Sequence, residues 1–114
     1  MNPAVDPQAI AGLRELNPEE PAFLRELIDV FLEDVPQRIA ELEKAITNSD
    51  AVLLTRAAHT IKGSCSNFGA AGLGQVAQKM EQQGKAAAFA DAAATLPALR
   101  TEFALVTEAL QQYR

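Results

Sequence analysis

At 114 residues the chain is long enough for one hydrophobic core that needs no metal or disulfide to hold it. Apolar residues make up 48% and aromatics only 5%, a balance that suits an Ala- and Leu-rich helical bundle and not a β-sandwich. A net charge of −5 and an isoelectric point near 4.8 argue against nucleic acid or an anionic membrane as partner.

Asp6-Pro7 reads as an N-cap followed by proline at the first helical position, so a short helix is expected over about residues 7–16. Ile10, Leu13 and Leu16 are its candidate buried positions, and a helix this brief suits a lid on one end of a bundle. Asn17-Pro18-Glu19-Glu20 is a stronger start signal, with a cap residue, a proline and a glutamate placed as in a capping box. From there Phe23, Leu24, Leu27, Ile28, Phe31, Val35, Ile39, Leu42 and Ile46 recur at three- and four-residue steps. That period predicts one long amphipathic helix over about 18–48, bent at Pro36, with two helices as the alternative. Glu26, Asp29, Glu33, Asp34, Glu41 and Glu43 read as its solvated face.

Thr47-Asn48-Ser49-Asp50 is a turn, and Ser49 or Asp50 can cap a third helix over about 50–67. At about 100° per residue, Leu53, Leu54, Ala57, Ile61, Ser64, Cys65 and Phe68 gather on one side of it. Thr55, Arg56, His59, Lys62, Gly63 and Ser66 gather on the other. His59 is the sole histidine of the chain, and it shares its polar stripe with cations three residues to either side. A neutral imidazole is a competent nucleophile near neutral pH. On a convex helix it has no pocket for a small substrate, but it can attack an electrophile carried by another macromolecule. Were that electrophile a phosphoryl group, Lys62 and Arg56 would neutralise the product's charge. Gly63 would clear space for the partner, a reason to accept a helical glycine at about 1 kcal/mol against alanine. Each residue also has a plainer role, His59 as a solvated surface ring and Gly63 as a C-cap. Asn67 either caps this helix or lies near the phosphate, and Gly69 can close the helix at positive φ.

A fourth helix is expected over about 71–83, burying Leu73, Val76, Ala77 and Met80 and closing at Gly84. Gly72 and Gly74 allow close approach to its neighbour, and Gln75, Gln78, Lys79 and Gln82 form a polar face expected beside the histidine. The last helix, about 88–113, carries the seam Leu96, Leu99, Phe103, Val106, Leu110 and Tyr113, with Pro97 near its start or at a bend. The single cysteine, Cys65, lies on an apolar side and reads as a small core residue; no ligand set for a metal can be assembled around one histidine. No apolar run is long enough to span a membrane and no secretory signal opens the chain, so a cytoplasmic protein is expected. The whole chain, 1–114, is expected to form one domain.

The run His59-Thr60-Ile61-Lys62-Gly63-Ser64-Cys65, followed by Asn67-Phe68-Gly69-Ala70 and Leu73, resembles the signature of histidine-containing phosphotransfer (HPt) domains. The resemblance extends from the Phe23–Leu54 region through the last helix and is weakest before Pro18. It implies an all-α, antiparallel up-down four-helix bundle, here with a short N-terminal cap helix. It further implies that His59 accepts a phosphoryl group from a receiver-domain aspartyl phosphate and passes it to another receiver, with Lys62 stabilising the phosphate and Gly63 admitting the partner. The family carries a polar residue, often glutamine, 22 residues beyond the histidine to support the imidazole; here that position is Glu81, a carboxylate. Arg56 would assist Lys62, and Gly63, Ser66, Asn67, Ala70 and Gln78 would form the docking face. The implied partners are receiver domains and a hybrid or simple histidine kinase, with the chain itself a monomer. It would be no enzyme in its own right, having no nucleotide site and no cofactor, and Mg²⁺ would arrive with the receiver. A different class of function fits the same fold, a binding-only adaptor that regulates a kinase or receiver without carrying phosphate.

Overall fold

The computed structural model describes residues 4–114, which form five α-helices. The first, α1 (Pro7–Leu16), starts where Asp6 accepts the Gln8 N–H at 2.9 Å, with Pro7 pre-set for the first turn. It buries Ile10 and half-buries Leu13, but Leu16 is exposed at 72%. The helix stops at Leu16, so that side chain falls past the end of the bundle instead of under it.

The second helix, α2 (Ala22–Thr47), begins four residues later than the capping-box pattern suggests. Asn17–Glu20 forms a turn instead, closed by the Glu20 N–H on the Asn17 carbonyl at 3.1 Å and by the Asn17 amide on Glu20 Oε2 at 2.9 Å. The reason lies in Pro21. A helix starting at Pro18 would draw its first i→i−4 bond from residue 21, and proline has no N–H to give. Proline also disfavours the helical region for Glu20 before it. The helix then runs unbroken through Pro36, which is exposed, as is Pro97 in α5 (Phe89–Gln111). Each proline removes one helical bond on the wet side of its helix.

Asp50 is the residue that caps α3 (Ala51–Cys65), accepting the Leu53 N–H at 3.1 Å. A 3-10 turn, Ser66–Phe68, follows and ends at Gly69 with φ +60°. A β-carbon at Gly69 would collide with Asp6, so the turn needs glycine for both conformation and space. The next helix, α4 (Ala71–Lys85), is longer than its periodicity predicts. Gly84 does not close it: the positive φ belongs to Ala87, at 53°. The last residue of α4 is Lys85, two beyond the expected end.

Helices α2 to α5 pack in chain order, α2 on α3, α3 on α4, α4 on α5, and α5 back on α2. This is an up-down four-helix bundle, all-α, 46 Å long and 27 by 18 Å across. Its core runs through Ile28, Val35, Leu42, Leu54, Ile61, Leu73, Met80, Leu99, Val106 and Leu110, all fully buried. Phe31 meets Phe68 edge-on at 5.2 Å and Phe103 at 6.1 Å, filling the end that α1 covers. The Asp6 N–H on the Phe68 carbonyl, 2.9 Å, fastens α1 there as a lid. No helix of the described residues is long and apolar enough to cross a membrane.

Candidate phosphoryl-accepting site

The inner face of α3 is fixed by Leu54, Ala57, Ala58, Ile61 and Cys65, which are all buried against the core. With that stripe turned inward, His59 must point out, and its side chain is 66% exposed. What lies beneath it depends on how closely α4 approaches. Small residues decide this at two places. A β-carbon on Gly74 would sit 3.6 Å from the Cys65 Cβ, and one on Gly84 would lie 2.5 Å from Thr55 Oγ1 and 2.8 Å from the Thr55 nitrogen. Of the two, Gly84 is the tighter contact with α3.

That approach brings Glu81, in the middle of α4, under the histidine. Glu81 is only 5% exposed. Its Oε2 lies 3.1 Å from His59 Nδ1 and 3.6 Å from Lys85 Nζ, and its Oε1 lies 2.6 Å from Lys62 Nζ. One buried carboxylate thus joins three groups. Lys62 is the main cause holding the Glu81 carboxyl below the usual carboxylate range; burial pushes it the other way, and His59 adds to the lowering. Glu81 is therefore an anion near neutral pH, and an ionised carboxylate only accepts hydrogen bonds. The proton of the neutral ring then belongs on Nδ1, and Nε2 is left with its lone pair directed away from Glu81.

Arg56 is exposed and borders the same depression as His59, together with Val52, Thr55, Glu81, Gly84 and Lys85. Lys62 borders a second depression with Ser66, Ala70, Gln75 and Gln78. Gly63, Ser66, Asn67 and Gln78 are exposed, and no atom lies within 4 Å of where a Gly63 β-carbon would stand. Ala70 differs from expectation. It is 1% exposed, because its N–H bonds back to the Cys65 carbonyl at 3.1 Å and turns its methyl into the core. Lys79 also lies elsewhere than expected, lining a groove with Gln83, Asp91 and Thr95 on the α5 side. Cys65 is buried, and desolvation pushes its thiol up to about 12.

Sequence reasoning passed over two members of the site. Lys85 is one helical turn beyond Glu81, a spacing that announces an ion pair once Glu81 is known to face inward. Val52 is two turns before His59 on the same face and 66% exposed, the large apolar side chain of that depression.

The family model of the Hpt domain matches residues 26–113. A search of solved structures finds the histidine-containing phosphotransfer protein B (HptB) of Pseudomonas aeruginosa PAO1 similar, at 29% identity and a TM-score of 0.88. The match covers 98% of this chain and 95% of that one. A search of curated proteins returned no significant match.

Proposed function

The chain belongs to the Hpt domain family, phosphotransfer proteins of phosphorelays, and on that premise we propose that His59 is the residue that carries the phosphoryl group. One observation above others supports this: an exposed imidazole whose inner nitrogen is bonded to a buried, ionised carboxylate beside a lysine.

In the proposed reaction the Nε2 lone pair attacks the phosphorus of an aspartyl phosphate on a docked receiver domain. The N–P bond forms as the P–O bond to the aspartate breaks, and the aspartate leaves with the electron pair. The ring becomes positively charged in the process. Glu81, 3.1 Å from Nδ1, offsets that charge, while Lys62 and the exposed Arg56 face the incoming phosphoryl oxygens. Transfer to a second receiver reverses the roles. The new aspartate attacks phosphorus, and the N–P electron pair returns to Nε2.

The chain acts as a carrier with no nucleotide site of its own, and Mg²⁺ belongs to the receiver. Partners are receiver domains and a histidine kinase. They dock over Gly63, Ser66, Asn67 and Gln78 on one flank of the histidine. A monomer in the cytoplasm completes the proposal.

The test is to incubate the chain with a phosphorylated receiver and look for acid-labile, base-stable phosphate. Label on the wild type that is absent from His59→Gln supports the relay. A stable complex without label on His59 would replace it with the binding-only adaptor.

A further inference from the structure

Where α1 ends, α2 begins and α5 closes, the chain leaves a cleft of about 780 Å³, within the size range of small-ligand sites. Its wall holds Arg14, Arg25 and Arg114 beside Phe23, Leu24 and Tyr113. Neither His59 nor Glu81 borders it. Of all its lining residues only Tyr113 falls within residues 26–113, the span matched by the family model. The part of the chain that the family shares therefore supplies almost none of its walls.

The arginines of the chain are unevenly used. Arg38, Arg100 and Arg114 each pair with a carboxylate, Arg114 with Asp29 at 2.6 Å. Among the described residues Arg14, Arg25 and Arg56 have no such partner. Arg56 stands beside the histidine; the other two line this cleft. Two carboxylates line it as well. Glu20 is engaged by the Asn17 amide at 2.9 Å, which leaves Glu15. The cleft thus keeps two unpaired guanidiniums against one uncommitted carboxylate, in a chain whose net charge is −5. Arg14 is steadied without a charge partner, its guanidinium lying 5.7 Å from the centroid of the Tyr113 ring.

We propose that this cleft binds a small organic anion, a carboxylate or phosphate carried on a flat apolar ring. A guanidinium fork matches either head with two parallel N–H···O bonds. Half-buried Phe23 and Tyr113 supply aromatic surface for the ring. A compact guest suits the cleft better than a peptide strand, which would need free backbone to pair with. Here the Glu20 N–H is bonded to the Asn17 carbonyl at 3.1 Å and the Phe23 N–H to the Glu20 carbonyl at 3.0 Å. The backbone of that wall is spent internally, and side chains make the anchors. A guest held by Arg14, Arg25 and Tyr113 touches α1, α2 and the end of α5 together, so its binding strengthens the attachment of the lid.

The test titrates the ¹⁵N-labelled full chain with benzoate and with phenyl phosphate, two heads on one ring, and then with acetate and inorganic phosphate, the heads alone. The preferred ring-bearing probe is expected to shift the Nε–H signals of Arg14 and Arg25 and to saturate with a dissociation constant on the order of 1 mM. Which of the two binds tells a carboxylate site from a phosphate site. The same head without its ring should bind roughly tenfold more weakly. Arg14→Met and Arg25→Met, both at exposed positions, should each weaken binding by about tenfold. Lys44→Met removes an equal charge from the far end of α2 and should leave the affinity unchanged. The inference is overturned by the lack of any saturating shift at the cleft, by ring-free heads that bind as well, or by Lys44→Met weakening binding as much as Arg25→Met does.

Discussion

A β-carbon at Gly63 would touch nothing within the molecule, whereas one at Gly84 would strike the α3 backbone. Folding alone thus gives Gly63 no reason to be glycine, and Gly63→Ala is expected to raise stability by about 0.5–1 kcal/mol through helix propensity. On the docking face proposed above the same methyl would stand in a receiver's path, so phosphoryl transfer should slow while the melting temperature rises. Unaltered transfer in a stabilised variant would remove Gly63 from the docking face. Glu81 yields a pH prediction with a definite sign. Its carboxyl titrates lower in the folded state than in the unfolded chain, so its stabilising contribution is complete above the unfolded value of about 4.3 and is lost as pH falls through the lower, folded one. Acid titration of stability should show that loss in the wild type and not in Glu81→Gln; parallel curves would contradict it. At this scale the exposed face of His59, Lys62 and Arg56 was readable from helical spacing alone. The burial of Glu81 was not. Spacing along α3 says nothing of which α4 residue lies beneath His59, and a carboxylate at 5% exposure runs against residue-type expectation.

Among the elements, the α3–α4 pair sets the site, and Gly84 sets that pair. Gly84→Ala gains helix propensity but places a methyl 2.5 Å from Thr55 Oγ1, 2.8 Å from its nitrogen and 3.0 Å from its Cα. Backbone atoms cannot step aside as a side-chain tip can, so α3 and α4 must separate. The expected cost is roughly 1–3 kcal/mol, as for other overpacked contacts, and the His59–Glu81 bond should lengthen with it. Denaturant unfolding measures the first effect and the ¹⁵N shift of Nδ1 the second. A variant as stable as wild type would show that the two helices are not packed that tightly there. Periodicity located every bundle helix, because a core stripe recurring at three and four is the direct imprint of packing. Their ends were less legible. Asn17-Pro18-Glu19-Glu20 carries all the marks of a helix start, yet Pro21 denies the first backbone bond and defers the helix to Ala22. Gly84 has the usual residue type of a helix end, but a glycine needed for close approach looks the same in one dimension.

Across the whole molecule, α1 lies outside the region matched by the Hpt family model, which begins at residue 26, yet it is tied to the far end of the α3 segment. Val5 and Ile10 are 3% and 1% exposed, and the Asp6 N–H is bonded to the Phe68 carbonyl. If the lid and bundle form one cooperative unit, Ile10→Ala opens a cavity that every helix experiences. The loss should be about 2–5 kcal/mol, typical of truncating a buried isoleucine, and on the order of 10 °C or more in melting temperature for a domain of this size. The site should respond differently. His59, Lys62 and Glu81 are held by α3 and α4 along the bundle's flank, and none of their polar bonds involves α1. Phosphate uptake at a temperature where the variant is fully folded should therefore equal that of the wild type. An unchanged melting temperature would mean that α1 folds apart from the bundle. A loss of uptake in the folded variant would mean that the lid reaches the histidine through the Phe68 turn, coupling the end of the molecule to its flank.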